Sequence, residues 1–216
     1  MTENMLQTIL ESKVIAIVRG ISAQGMCDLA QAMRRGGLRC IEVTFDHTSE
    51  EARQETLKSI RTLSKQFGGD LCIGAGTVLS PEDVRDAQQA GAGYIISPNT
   101  DVAVIEATKR LGLLSIPGAY TPSEVVFAHR CGADIVKLFP AGILGAAYVK
   151  ALKAPLKHIP MMAVGGVTPQ NAPEFLAAGV AGVGVGGNLV SPKLVAERRF
   201  DEITAIAQQY ADAVKG

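Results

Sequence analysis

Eight short apolar runs, each leading into a stretch of helical periodicity, constrain this chain more than any other feature. They are VIAIVRG (14–20), CIEVTF (40–45), LCIGAG (71–76), YIISP (94–98), LLSIPG (113–118), DIVKLFP (134–140), MMAVGG (161–166) and VAGVGVGG (180–187). Unbroken apolar strands alternating with helices describe parallel strands buried on both faces. SPEDV and TPSEV each place a capping hydroxyl before a proline in the first helical turn. Gly37, Gly91, Gly112, Gly132 and Gly179 stand where a helix must stop before the next strand. Eight such units in 216 residues predict a single α/β domain over 1–216, a (β/α)8 TIM barrel with a short N-terminal helix at about 3–12. The rival is a doubly wound open sheet, which carries its phosphate turn after the first strand. VRGIS at that place lacks the glycines, and GVGVGG comes last with no further βα half behind it.

Composition narrows the function. Hydrophobic residues make up 47% and charged residues 19%, the balance of a folded globular chain. Lys+Arg and Asp+Glu are both 21, so no net positive field invites nucleic acid. No apolar run approaches the roughly 18 residues of a membrane span. MTENMLQTILESK lacks the basic and apolar regions of a signal peptide. Cys27, Cys40, Cys72 and Cys131 are scattered without a CxxC pair. A reduced, cytoplasmic protein is the simplest expectation.

Barrel enzymes place their chemistry at the carboxyl ends of the strands. Those ends carry Arg19, Glu42 with Thr44, Thr77, Pro98, Pro117, Lys137 with Phe139, Gly165–Gly166 and Gly186–Gly187–Asn188. Lys137 interrupts the apolar ADIVKLFPA, on the strand face shared by Ile135 and Phe139. A buried ammonium costs several kcal/mol unless it is paired or gives up its proton. Either the lysine tips a strand into water, or it is partly buried because its chemistry needs a free amine. Glu42 in CIEVTF poses the same choice. Together at two strand ends of one barrel, an amine nucleophile and a proton-shuttling carboxylate suit Schiff-base chemistry on a ketone. The glycines of AVGGVTPQN and GVGGNLVSP either make tight βα turns or converge backbone N–H groups on a phosphate. His47, His129 and His158 read as structural or surface residues; for His47, which follows Asp46 at the site rim, the alternative is contact with the aldehyde half. No His/Asp set occupies several strand ends, so a metal-dependent reaction is not expected.

IEVTF, GAGTVL, SPN, IPGAYTPSE, VKLFPA and VGGVTPQN occur in the order and spacing of the class I aldolases that cleave 2-keto-3-deoxy-6-phosphogluconate (KDPG) and 2-keto-4-hydroxyglutarate (KHG), and the chain resembles that family from about Val14 to the last helix. The resemblance implies a trimeric barrel with no metal and no organic cofactor. It implies that Lys137 forms a Schiff base with the C2 ketone of a keto acid and that Glu42 moves the protons. Thr77, with the amides of GAGT, would hold the pyruvate carboxylate, and Pro98, Pro117 and Phe139 would wall the pocket. Gly165, Gly166, Gly186, Gly187 and Asn188 would receive a distal phosphate or carboxylate.

Three positions depart from the gluconate pattern. Asp46 stands where an arginine is usual, and Arg19 is expected to supply the charge, as in the galactonate-type members. Val164 replaces a threonine near the C4 hydroxyl, and Asn188 replaces a serine of the last phosphate turn. The expected function is a class I aldolase releasing pyruvate and an aldehyde such as glyceraldehyde 3-phosphate or glyoxylate. The alternatives are a metal-independent sugar-phosphate isomerase or epimerase, and a non-catalytic sugar-phosphate binding protein.

Overall fold

The structure is a computed structural model describing residues 2–215. Helix α1 (Thr2–Ser12) comes first, followed by β1 (Val14–Val18), α2 (Ala23–Arg35), β2 (Cys40–Thr44), α3 (Glu50–Phe67) and β3 (Cys72–Gly76). Next come α4 (Pro81–Gln89), β4 (Tyr94–Ile96), α5 (Val102–Arg110), β5 (Leu114–Ile116), β6 (Gly118–Ala119) and α6 (Pro122–Arg130). The last part holds β7 (Val136–Leu138), α7 (Ala141–Lys153), β8 (Met161–Val164), α8 (Ala172–Ala177), β9 (Gly182–Val185), α9 (Pro192–Ala196) and α10 (Phe200–Ala213). The strands run in the order β5-β4-β3-β2-β1-β9-β8-β7-β6, every paired neighbour parallel. The ring is a TIM barrel, closed by the run 114–119.

That run was expected as one strand, and it is two. Pro117 has no N–H to give a ladder, and the chain changes partner there. Leu114–Ile116 pairs with β4, while Gly118–Ala119 pairs with β7. The Pro117 carbonyl still accepts from Lys137 N–H at 2.9 Å, which keeps the wall continuous.

Strand alternation builds two cores. Val14, Ala16 and Val18 of β1, Ile41 and Val43 of β2, and Val136 and Leu138 of β7 point outward into the layer beneath the helices. Ile15, Cys40, Tyr94, Ile135, Met162 and Val164 fill the barrel interior. Glu42 and Lys137 have the parity of Cys40 and Ile135, so alternation sends both side chains inward. From the amino end, α1 plugs the barrel with Met5, Leu6, Ile9 and Leu10. The helix starts are capped as read: Ser80 accepts from Asp83 N–H, and Thr121 and Glu124 form a reciprocal capping box. Each of the five helix-ending glycines has positive φ. No described helix is long and apolar enough to cross a membrane, and all four cysteines are unpaired.

Candidate active site

At the carboxyl ends of the strands the interior opens into a cavity of about 670 Å³. Its lining includes Arg19, Glu42, Thr77, Pro98, Lys137, Phe139 and Val164, together with Gly165, Gly166, Gly186, Gly187 and Asn188. The structure thus gathers residues from seven strand ends around one space. Pro117 is the exception. It is buried in the wall where the fifth strand divides, and it does not line the cavity. Thr44 is also turned aside, its hydroxyl donating to the Val18 carbonyl at 3.2 Å.

Lys137 is 6% exposed and Glu42 is 2% exposed, so neither tips into water. Among the described residues no hydrogen bond or ion pair joins them, and one carboxylate oxygen of Glu42, Oε2, has no partner. They feel each other through the poorly screening interior. Burial pushes the Lys137 amine below the ordinary lysine value; the Glu42 charge opposes that shift and Arg19 adds to it. Burial pushes Glu42 above the usual carboxylate value, against the pull of Lys137 and Arg19. Both shifts favour neutral forms, an amine able to attack and an acid able to give up a proton. The Lys137 Nζ also sits 4.8 Å from the centroid of the Phe139 ring, which forms part of its apolar surround.

Two glycines make room for this interior. A Cβ on Gly76 would stand 1.7 Å from Glu42 Oε1, and one on Gly74 would stand 2.1 Å from the Tyr94 ring. Strand β3 therefore yields its inward face to side chains of β2 and β4. Sequence reasoning placed Gly76 in a motif without assigning it this task. It also passed over Ile17 and Gly184, which line the cavity; Ile17 lies two residues before Arg19 on the same strand face, a signal that was available.

Asp46 does not take the place of an arginine in the cavity. Its carboxylate accepts from the Thr48 N–H at 2.9 Å and from the Thr48 hydroxyl at 2.6 Å, and it lines a separate small pocket with Gly20 and Ser22. These bonds hold the Asp46 carboxyl below its usual range. The arginine that faces the cavity is Arg19. At the ends of the neighbouring strands β8 and β9 the glycines follow, and Gly165 and Gly166 have φ of 88° and 76°. Among the described residues their N–H groups, and those of Gly187 and Asn188, donate to no protein acceptor. Four free amides around one mouth suit an anion.

His129 and His158 lie outside the cavity, edge to face at 5.7 Å between ring centroids. Among the described residues no three His, Cys, Asp or Glu side chains gather as metal ligands.

A TIM barrel with an inward, buried lysine and carboxylate on the wall of its carboxyl-end cavity is the frame of a Schiff-base enzyme. The family model for KDPG and KHG aldolase matches residues 5–206, and the chain belongs to that family. It is 34% identical over 203 residues to the 2-dehydro-3-deoxy-6-phosphogalactonate aldolase of Escherichia coli K12, covering 94% of this chain and 96% of that one. It is 34% identical over 198 residues to the 2-dehydro-3-deoxy-phosphogluconate aldolase of Treponema pallidum, covering 91% of each. Among solved structures, the KDPG aldolase of Legionella pneumophila with pyruvate captured as a covalent carbinolamine superposes with a TM-score of 0.83 at 28% identity, over 94% of this chain and 96% of that one. None of these relatives supports an isomerase or a non-catalytic binding protein.

Proposed function

We propose that the protein is a class I aldolase, a lyase that reversibly cleaves 2-keto-3-deoxy-6-phospho sugar acids, or 4-hydroxy-2-oxoglutarate, to pyruvate and an aldehyde. The observation that carries this reading is the pair of buried, inward side chains, Lys137 and Glu42, in one cavity.

The neutral Lys137 amine attacks the C2 ketone to give a carbinolamine. Glu42 donates the proton with which the hydroxyl leaves as water, and an iminium remains. Glu42, now a carboxylate, takes the C4 hydroxyl proton; the C3–C4 bond breaks, and its electron pair flows to the iminium nitrogen. The aldehyde departs and leaves an enamine of pyruvate. Protonation at C3 and attack by water on the iminium release pyruvate and restore the lysine. Thr77 holds the pyruvate carboxylate. Arg19 supplies positive charge to an anionic group of the substrate, a role that Asp46, tied to Thr48, cannot fill. The free amides of Gly165, Gly166, Gly187 and Asn188, with the turn at Gly186, receive the distal phosphate or carboxylate. Pro98 and Phe139 wall the pocket, and Val164 faces the C4 region.

Arg19, Val164 and the diverted Asp46 support a galactonate-type substrate as the first to test. A homotrimer follows from the family resemblance, and the exposed apolar side chains of Tyr120, Phe127 and Ile143 around α6 and α7 are surface that an assembly would cover. A reducing, cytoplasmic setting is supported by four unpaired cysteines.

Borohydride reduction in the presence of pyruvate, read by mass spectrometry, tests the reading. A stable adduct on Lys137, absent in Lys137→Met along with all cleavage, is the expected result. No adduct on the wild-type chain refutes it. Rates on the phosphogluconate-type, phosphogalactonate-type and hydroxyglutarate substrates then identify the preferred one.

A further inference from the structure

Thr77 is a β-branched residue held at φ 55°, in the left-handed region where such side chains rarely sit. A conformation of this kind is strained and persists only where its surroundings impose it. One contact does so directly. The Nε2 of His47 lies 2.8 Å from the Thr77 carbonyl oxygen. A carbonyl can only accept, so the ring nitrogen donates, which places the hydrogen on Nε2.

The imidazole is itself supported from beneath. It stacks on Phe45, with ring centroids 5.8 Å apart and planes at 22°. Phe45 is buried, and the Arg53 guanidinium lies over its ring, 5.6 Å from the centroid. Arg53 in turn is held by Asp83 at 3.2 Å and by Asp86. A chain of contacts therefore runs from the outer helices α3 and α4, through Arg53, Phe45 and His47, to the carbonyl of a cavity residue.

We infer that His47 is a positioning residue for the keto-acid end of the site: it does not touch substrate, but by holding the Thr77 carbonyl it fixes the left-handed turn that presents Thr77 to the carboxylate. The inference rests on the reading of Thr77 as a carboxylate-binding residue. His47 is exposed, so its replacement leaves the core intact.

The test is steady-state kinetics of cleavage by the full chain. His47→Ala should raise KM for the keto acid about tenfold with kcat within about threefold. His47→Gln, whose amide can donate from a similar reach, should restore most of the loss. In a Thr77→Ala background, His47→Ala should add less than about twofold, because its route of action is already gone. If Thr77→Ala leaves KM unchanged, the carboxylate role of Thr77 fails. If Thr77→Ala raises KM but His47→Ala does not, or if the two effects multiply in full, the positioning role of His47 fails while the reading of Thr77 stands. A lowered Tm in His47→Ala with unchanged KM also overturns the inference.

Discussion

Replacing Gly76 by alanine tests whether the place of Glu42, and not merely its presence, drives cleavage. The new Cβ would lie 1.7 Å from Glu42 Oε1, 2.5 Å from Cδ and 2.7 Å from Cγ, whereas ordinary contact begins near 3.4 Å. Gly76 is on a fully buried strand, so the carboxylate yields before the backbone does. The oxygen must retreat by well over 1 Å, and a displacement of about 1 Å from a productive geometry costs roughly 100-fold in rate. General acid–base help is itself worth about 10²–10⁴-fold. Gly76→Ala should thus lower kcat by at least about 100-fold, or ~2.7 kcal/mol in the barrier. Overpacking of this kind costs about 1–3 kcal/mol of stability, so the barrel stays folded. The assay is pyruvate release at saturating substrate, with circular dichroism as the check on folding. Borohydride trapping on Lys137 should survive at a lower rate, since the amine is not displaced but the proton donor for water loss is. The Gly76→Ala/Glu42→Gln double variant should be no slower than Glu42→Gln alone. A folded Gly76→Ala enzyme within threefold of the wild-type kcat would refute the reasoning.

Burial keeps the Lys137 amine below the ordinary lysine value, so kcat/KM should rise with pH as the ammonium loses its proton and level off above that lowered value. Glu42→Gln removes the charge that supports the ammonium, so the residual activity should have its rising limb at lower pH; a move to higher pH contradicts the pairing. Arg19→Ala deletes the arginine facing the cavity, and a charged hydrogen bond is worth about 1.5–3 kcal/mol, so pyruvate affinity should fall at least about tenfold. Unchanged pyruvate affinity, measured by trapping at graded concentrations, would remove Arg19 from that role. Val164→Thr introduces a hydroxyl beside the C4 region and should change the ratio of rates on the two C4 epimers by roughly tenfold; an unchanged ratio would show that residue 164 does not read C4.

The parts of this molecule that depend on period were open to reading, and the parts that depend on a neighbour's register were not. Alternation alone sets the inward parity of Glu42 from Cys40 and of Lys137 from Ile135, because a strand has one period and two faces. Proline and glycine marked helix ends for the same local reason. The division of the run 113–118 was hidden because Pro117 forbids a donor without saying which partner the chain takes up next. Gly76 was in view as a motif letter, yet its need to lack a side chain comes from Glu42 on the adjacent strand. His47 and Thr77 are thirty residues apart, and only the β2–β3 pairing brings them together; the aromatic at Phe45 was the one local hint that a ring might stack there.

Depth along the barrel axis is the remaining quantity that parity does not supply, and it decides what the lysine can do. An inward lysine at the open mouth would keep its ammonium in water. Here α1 closes the opposite end with Met5, Leu6, Ile9 and Leu10, and Tyr94, Ile135 and Met162 fill the space above it. The cavity opens on the carboxyl side, and the Phe139 ring stands beside the amine there. The lysine is therefore far enough in to lose much of its hydration, yet still on the wall of a cavity large enough for substrate. A nucleophilic amine needs both conditions at once. The plug supplies the first and the glycine-rich rim, by withholding side chains, supplies the second.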